Sequence, residues 1–173
     1  MELRRGKLSI THAQEKDCKQ LSDWWNDGEV MAHAGFPYGL HTSEEETWKK
    51  VSTDSDEKGR RLIIRYEETP IGEMSYFNNH DGTVNIGIKI CEKDYQEKGY
   101  GRILLSMLIR YLFDQGYEKI VLDTDLENKR AQHVYELLGF KRLRVNQDSW
   151  KNQLGELRSS VDYELVEEDF HAF

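Results

Sequence analysis

Cysteine and proline are both scarce in this chain of 173 residues, which contains two of each. Cys18 and Cys91 lie far apart in the sequence, and neither cysteines nor histidines fall at metal-ligand spacings. The sequence therefore predicts neither a disulfide framework nor a zinc centre, and we expect no metal. So few thiols also fit a reducing compartment, so we expect a cytoplasmic protein.

Long apolar runs are absent as well. No stretch approaches the roughly 18 apolar residues that a membrane-spanning helix needs, and the first ten residues, MELRRGKLSI, carry no apolar core of a signal peptide. We therefore expect a soluble protein with no membrane partner.

Basic residues are outnumbered, with 24 Lys and Arg against 32 Asp and Glu and a formal net charge of -8. This balance disfavours a phosphate-binding surface for nucleic acid and mildly favours cationic ligands. A length of 173 residues suits a single domain over residues 1–173, long enough to bury a core.

Alternating apolar patterns in the first half predict strands at residues 3–11, 61–66, 71–77 and 83–90. Helices are predicted after two capping boxes, Thr11 with Gln14 and Ser43 with Glu46. Between these helices lies an aromatic link that could border a substrate cleft. Aromatic side chains there and on the first helix could line an acceptor pocket or simply form core: Trp24, Trp25, Phe36 and Tyr38.

In the second half of the sequence, predicted strands alternate with predicted helices. Residues 103–113 are apolar nearly all round and predict a buried helix that ends near Gly116. A strand at residues 119–124 precedes a helix capped by Asn128 and ended by Gly139, and two last strands follow. Consecutive βα units predict a pair of parallel strands here.

The glycine-bearing loop QEKGYG, residues 96–101, joins a strand to the start of the buried helix. Unpaired N–H groups and the positive end of the helix dipole attract anions there, and glycines let a phosphate approach the backbone. The loop lacks the Gly-Lys-Ser/Thr ending of a P-loop, and Leu104 replaces the third glycine of a dinucleotide fingerprint. On its own, the pattern also fits an ordinary tight turn.

A second motif, NKRAQHVYELLGF at residues 128–140, follows in the next βα unit. Together the two motifs resemble the GNAT acetyltransferase superfamily, whose patterns Q/R-x-x-G-x-G/A and N-x-x-A-x-x-x-Y-x-x-x-G-F both match without a gap. The C-terminal strand pair is similar to the branch that acetylates ribosomal-protein N-termini and related small amines.

The resemblance implies an α/β fold with a mixed, mostly antiparallel sheet of six or seven strands and about four flanking helices. The sheet would be splayed between its fourth and fifth strands, where residues 86–90 meet residues 119–124. It also implies acetyl-CoA as cosubstrate, a primary amine as acceptor (a small molecule, a polyamine or a peptide N-terminus) and a possible homodimer.

Site roles follow from the same resemblance. Tyr135 would face the thioester sulfur, as a general acid or only as packing. Asn128 would contact the cofactor as well as cap its helix. Ile88 and Ile90 would contact the pantetheine arm of the cofactor. Its pyrophosphate would be surrounded by Gln96, Lys98, Gly99, Gly101 and Arg102.

The general base is the point where the sequence departs from many relatives. Asn85 stands where the family often has a glutamate, and an amide cannot accept a proton at neutral pH. Glu73 and Asp123 are the candidate bases, directly or through a water, unless no dedicated base exists. The alternative function is a non-catalytic acyl-CoA sensor or interaction module.

Overall fold

The computed structural model describes residues 1–173, and its strands form one mixed sheet of eight in the order β1-β2-β3-β4-β5-β6-β8-β7. The strands are β1 Glu2–Arg5, β2 Leu8–His12, β3 Gly59–Tyr66, β4 Thr69–Asn78, β5 Thr83–Ile90, β6 Lys119–Asp125, β7 Lys141–Lys151 and β8 Leu157–Val166. The helices are α1 Cys18–Asn26, α2 Gly28–Met31, α3 Glu44–Val51, α4 Tyr100–Asp114 and α5 Lys129–Leu138.

The α/β class and the splayed mixed sheet are confirmed, with a different count of strands. The single strand predicted at residues 3–11 is a hairpin, because Gly6 takes a left-handed φ of +60° and turns β1 back onto β2. This hairpin raises the count to eight strands, and the single turn of α2 raises the helices to five. The split consequently lies between β5 and β6.

Helix ends follow the predicted caps with one exception. The Ser43 hydroxyl accepts the Glu46 N–H at 3.1 Å, and the Asn128 side chain accepts the Ala131 N–H at 3.2 Å. The predicted box at Thr11 is wrong, since Thr11 belongs to β2 and the Asp17 carboxylate instead accepts the N–H of Gln14. The chain therefore stays extended for three residues longer before it turns helical.

Two hydrophobic cores cover the two faces of the sheet. The larger lies under α4 and α5, while the smaller lies under α1 and α3 and contains both free cysteines together with Trp24 and Trp25. These two tryptophans are thus core residues, whereas Phe36 and Tyr38 are exposed. None of the helices has the combined length and apolar character needed to cross a bilayer.

The split between β5 and β6 positions the candidate site. These parallel strands pair only over residues 83–85 and 119–121, after which their backbones separate. Each strand keeps its other neighbour, because β4 pairs along β5 to Ile90 and β8 pairs along β6 to Asp125. The carboxyl ends of β5 and β6 therefore face each other across an open wedge, and the loop at residues 96–101 follows directly.

Candidate active site

The loop before α4 presents a run of free backbone donors. No N–H group of residues 98–102 donates a hydrogen bond within the protein, and no side chain caps the helix at Gly99. By contrast, side chains cap the N-termini of α3 and α5. Five consecutive unpaired N–H groups at the positive end of a helix dipole form a cradle for an anion.

The two glycines of this loop are needed for different reasons. Gly99 adopts φ of +80°, a left-handed conformation that an L side chain rarely takes. Gly101 has no positive φ, and a Cβ built on it would meet nothing within 4 Å. Since the protein itself does not exclude a side chain at Gly101, the open space fits a ligand such as the coenzyme A pyrophosphate.

Gln96 braces the loop against the sheet. Its side-chain amide donates to the Ile90 carbonyl at 2.8 Å, and its backbone N–H donates to the Lys93 carbonyl at 3.1 Å. Its N–H is therefore not among the free donors of the loop. The same contact occupies the Ile90 carbonyl, whereas the Ile88 position lies on the open stretch of β5.

Three charged side chains surround the loop. The Arg102 guanidinium lies 5.0 Å from the ring centroid of Phe173 and close to Gly99, whose built Cβ would be 3.6 Å from Nη2. Arg130 of α5 reaches Glu97 at 3.2 Å and so links the loop to the second βα unit. Lys98 is exposed beside them, which adds positive charge to the cradle.

Tyr135 is buried in α5 with 7% of its surface exposed, and its ring packs against Phe140 and Tyr163 at centroid distances of 5.8 Å. Burial, followed by the charge of Asp123 and the neighbouring Tyr163, raises the pKa of Tyr135 to about 12. The Tyr135 hydroxyl has no hydrogen-bond partner in the protein. Every fully buried side-chain nitrogen or oxygen does have a partner, so this hydroxyl is not fully buried and keeps some access to solvent. The phenol thus stays protonated at neutral pH and can donate to a group in the wedge.

Asp123 lies on β6 beyond the last residue paired with β5 and faces Asp162 of β8 across the ladder. The residue is exposed at the surface, but neighbouring protein covers part of its carboxylate. This partial burial, followed by the negative charge of Asp162, raises the pKa of Asp123. The negative charge of Asp123 contributes to the raised pKa of Tyr135, although no hydrogen bond joins the two side chains. A carboxylate with a raised pKa is a better proton acceptor than an ordinary aspartate.

Glu73 and Asn85 lie on β4 and β5. The Glu73 carboxylate on β4 accepts the indole N–H of Trp25 at 2.7 Å, which ties α1 to the sheet. Asn85 is the last residue of β5 that pairs with β6, so it lies at the apex of the split.

A cavity of about 190 Å³ opens at the carboxyl end of β6. It is formed by the loop after α2, by the turn between β7 and β8, and by Asp125, through the side chains of Ala32, His33, Pro37, Asp125, Trp150, Asn152, Leu154, Glu156 and Arg158. The Arg158 guanidinium binds Asp125 through two 3.0 Å hydrogen bonds. Burial alone would raise the pKa of Asp125, but these hydrogen bonds outweigh it and the pKa is lowered.

Sequence reasoning missed most of these cavity residues. The only signal was the aromatic and glycine-rich link before residue 40, which was predicted to border a substrate cleft. Nothing in the linear sequence indicated that Asp125 and Arg158, 33 residues apart, would pair.

The Acetyltransferase (GNAT) domain family model matches residues 7–141, which cover most of the sheet and both βα units. The chain belongs to the GNAT acetyltransferase family. It therefore uses acetyl-CoA and transfers the acetyl group to an amine, and the predicted cosubstrate, acceptor class and family are confirmed.

Sequence relatives of this acetyltransferase act on different amines. Spermidine N(1)-acetyltransferase of Vibrio cholerae is 28% identical over 142 residues, 80% of this chain and 75% of the relative. The L-amino acid N-acyltransferase MnaT of Escherichia coli is 24% identical over 149 residues, 77% of this chain and 79% of the relative.

Solved structures share the whole fold of the acetyltransferase. Spermidine N-acetyltransferase from Vibrio cholerae, in complex with CoA and spermine, matches with a TM-score of 0.82 at 21% identity, over 95% of this chain and 98% of that one. The ribosomal alpha-N-protein acetyltransferase RimL, in complex with coenzyme A, gives 0.82 at 16% identity, over 96% and 98%. At these low identities the structural matches support the fold alone, and the identity of the acceptor amine depends on the residues of the cavity.

Proposed function

We propose that the chain acetylates a primary amine carried by a cationic, chain-like acceptor of the polyamine class, by direct attack of the amine on acetyl-CoA. The observation that carries this proposal is the charge around the acceptor cavity. Two carboxylates, those of Asp125 and Glu156, line the cavity with a single guanidinium, that of Arg158, and Arg158 also pairs with Glu127 beside the cavity. Glu127 and Glu156 are exposed, so the entrance keeps a negative excess that attracts ammonium groups.

The proton path proposed here runs through Asp123 and Tyr135. An ammonium has no lone pair, so the attacking amine must first lose a proton, and Asp123 can accept it directly or through a water. Tyr135, which stays protonated up to about pH 12, donates its proton to the departing thiolate. The influence of the Asp123 charge on Tyr135 supports the pairing. The nitrogen loses a second proton after the attack, so for each acetyl group transferred one proton ends on the thiol of coenzyme A and one returns to solvent.

Glu73 is the weaker candidate for the base. Its carboxylate already holds the Trp25 indole, and Glu73 is not among the charges that shift the pKa of Tyr135. We therefore propose that Glu73 anchors α1 and that Asp123 is the base.

Acetyl-CoA would be held along the wedge and the loop. We propose that Ile88 and the free edge of β5 orient the pantetheine arm, with a smaller part for Ile90. The N–H groups of residues 98–102, including Lys98, Gly99, Gly101 and Arg102, would bind the pyrophosphate. Asn128 fixes the start of α5, and Gln96 fixes the loop to the sheet. When bound, the cosubstrate supplies the activated acetyl thioester.

Three coarser proposals concern the whole chain. Residues 1–173 act as one acetyltransferase domain, which is supported by the single sheet that contains both the first and the last strand. The low number of cysteines supports a cytoplasmic location for this domain. The protein forms a homodimer through β7, an edge strand of 11 residues with exposed Leu143 and Val145. Sedimentation of the protein and of a Leu143→Lys variant tests the dimer, since a monomeric wild type contradicts it.

An amine panel tests the acceptor class. With acetyl-CoA fixed, we expect kcat/KM for spermidine to exceed that for alkyl monoamines of equal length, which carry a single ammonium, and this preference to shrink in a Glu127→Gln, Glu156→Gln double variant. Lys129→Gln is a control on an exposed charge outside the cavity. Equal activity on monoamines and polyamines would contradict the polyamine class while leaving acetyl transfer intact.

A further inference from the structure

The loop after α2 and the turn between β7 and β8 are joined by one glutamine. We call residues 35–39 the acceptor loop and residues 150–158 the hairpin tip. Gln153 of the hairpin tip accepts the Tyr38 N–H at 2.7 Å and donates from its side chain to the Gly39 carbonyl at 3.0 Å. Its own backbone N–H donates to the Gly35 carbonyl at 2.7 Å. A single residue thus makes three hydrogen bonds between the two segments that line the acceptor cavity.

The acceptor loop is fixed on its other side. The Leu40 N–H donates to the Trp25 carbonyl at 2.8 Å, and Gly28 and Gly39 lie so close to neighbouring backbone that a Cβ on either would clash. The loop is therefore packed against the end of α1 and the start of α2, so any relative movement belongs to the hairpin tip.

The hairpin tip has a natural hinge. The ladder between β7 and β8 is irregular between Asn146 and Trp150, and Asp148 takes a φ of +47° that is unusual for a non-glycine residue. Such bulges bend a strand and redirect its end. Beyond the bulge, the Trp150 ring packs so tightly on Gly35 that a Cβ there would be 2.4 Å from Cζ3. The bulge thus aims the tip at the acceptor loop, where Gln153 holds it.

The bonds made by Gln153 are easily broken. Gln153 is exposed, so water can replace each of its side-chain hydrogen bonds at a small net cost, and the entrance can widen at Gln153 while Trp150 stays packed on Gly35. The inner end of the tip stays anchored, because Arg158 holds the well-buried Asp125 carboxylate at the floor of the cavity. Opening would therefore widen the outer entrance while it leaves the floor in place.

Resting on the proposed acetylation of amines in this cavity, we propose that Gln153 is a specificity-determining residue that restricts the acceptor entrance to narrow, unbranched amines. With the side-chain bonds made, the loop and tip close the entrance from both sides. An acceptor with a branched backbone beside its amine, such as a peptide N-terminus, has to break these bonds before it can enter the cavity.

The test compares spermidine with a short peptide bearing a free N-terminus, in the wild type and in Gln153→Ala. Loss of the two side-chain hydrogen bonds of Gln153 shifts the opening equilibrium by roughly tenfold, so we expect the spermidine-to-peptide ratio of kcat/KM to fall by about tenfold. The change comes from a lower KM for the peptide. Acetyl-CoA affinity stays unchanged, and the Tyr38 amide exchanges its hydrogen faster. Gln153→Glu, which keeps the acceptor but loses the donor, gives an intermediate ratio.

Leu157→Ala is the matched control, because Leu157 is exposed on the same tip and makes no bond to the acceptor loop. An unchanged ratio in Gln153→Ala, with faster Tyr38 exchange, overturns the inference while leaving acetyl transfer intact. A wild type that transfers acetyl to neither acceptor nor to any other amine overturns the proposed function, and the inference with it.

Discussion

Replacing Gly101 by alanine should stabilise the free protein and weaken its binding of acetyl-CoA, two effects of opposite sign. Gly101 is the second residue of α4, lacks a positive φ, and has no atom within 4 Å of a built Cβ. Alanine is favoured over glycine in a helix by roughly 0.5–1 kcal/mol, so the free energy of unfolding should rise by up to about 1 kcal/mol.

The loss of binding follows from the free donors around this residue. A Cβ at position 101 projects into the space beside the unpaired N–H groups of residues 98–102 and holds a phosphate away from them. Hydrogen bonds to a charged group are worth about 1.5–3 kcal/mol, so losing one such bond raises the Kd for acetyl-CoA about 10- to 100-fold. Isothermal titration gives the Kd, and urea unfolding without ligand gives the stability.

Gly116→Ala provides the control, since Gly116 lies just past the other end of the same helix with φ of +98°. Forcing alanine into that left-handed conformation costs roughly 1–2 kcal/mol of stability and should leave acetyl-CoA binding unchanged. If Gly101→Ala binds acetyl-CoA as tightly as the wild type, the pyrophosphate does not lie on this loop and the site is misplaced.

Three further predictions concern the proton path. Tyr135→Phe should lower kcat about 10²- to 10⁴-fold with the Kd for acetyl-CoA unchanged, measured by steady-state kinetics and titration, whereas an unaltered kcat would reduce Tyr135 to a packing role. The same variant should resist alkali: an unfolded tyrosine ionises near pH 10 and folded Tyr135 near 12. The wild type should therefore lose about 2–3 kcal/mol more stability than Tyr135→Phe between those pH values, as urea unfolding at each pH will report. Asp123→Asn should lower kcat/KM and remove its acidic limb, because the raised pKa of Asp123 sets the pH above which the base is ionised, whereas Glu73→Gln should keep that limb. If Glu73→Gln loses the acidic limb of the pH profile and Asp123→Asn keeps it, Glu73 is the base and Asp123 is not.

Local signals made much of the fold predictable from sequence. Ser43, Asn128 and Gly139 act within one turn of their own helix, and the predicted caps occur where the spacing placed them. The hairpin of β1 and β2 was missed because Gly6 interrupts a run whose alternation continues on both sides. A single glycine in a strand pattern is consistent with a bulge as well as with a turn, and only pairing decides between them.

The candidate site was predictable only where chemistry follows local sequence. The free donors of residues 98–102 belong to one loop and one helix start, so the motif located them. The pairing of Asp125 with Arg158 and the three bonds made by Gln153 join segments more than 30 residues apart. Such contacts depend on how β8 returns beside β6 and on how the bulge directs the hairpin tip, which no local pattern encodes.

The most direct test of the whole account is amine-dependent release of coenzyme A. Purified protein is mixed with acetyl-CoA, with and without spermidine, and free thiol is measured together with the mass of the amine. The account predicts thiol release only when the amine is present, in equal amount to an amine that has gained one acetyl group. Tight binding of acetyl-CoA with no thiol release across a panel of primary amines would contradict it.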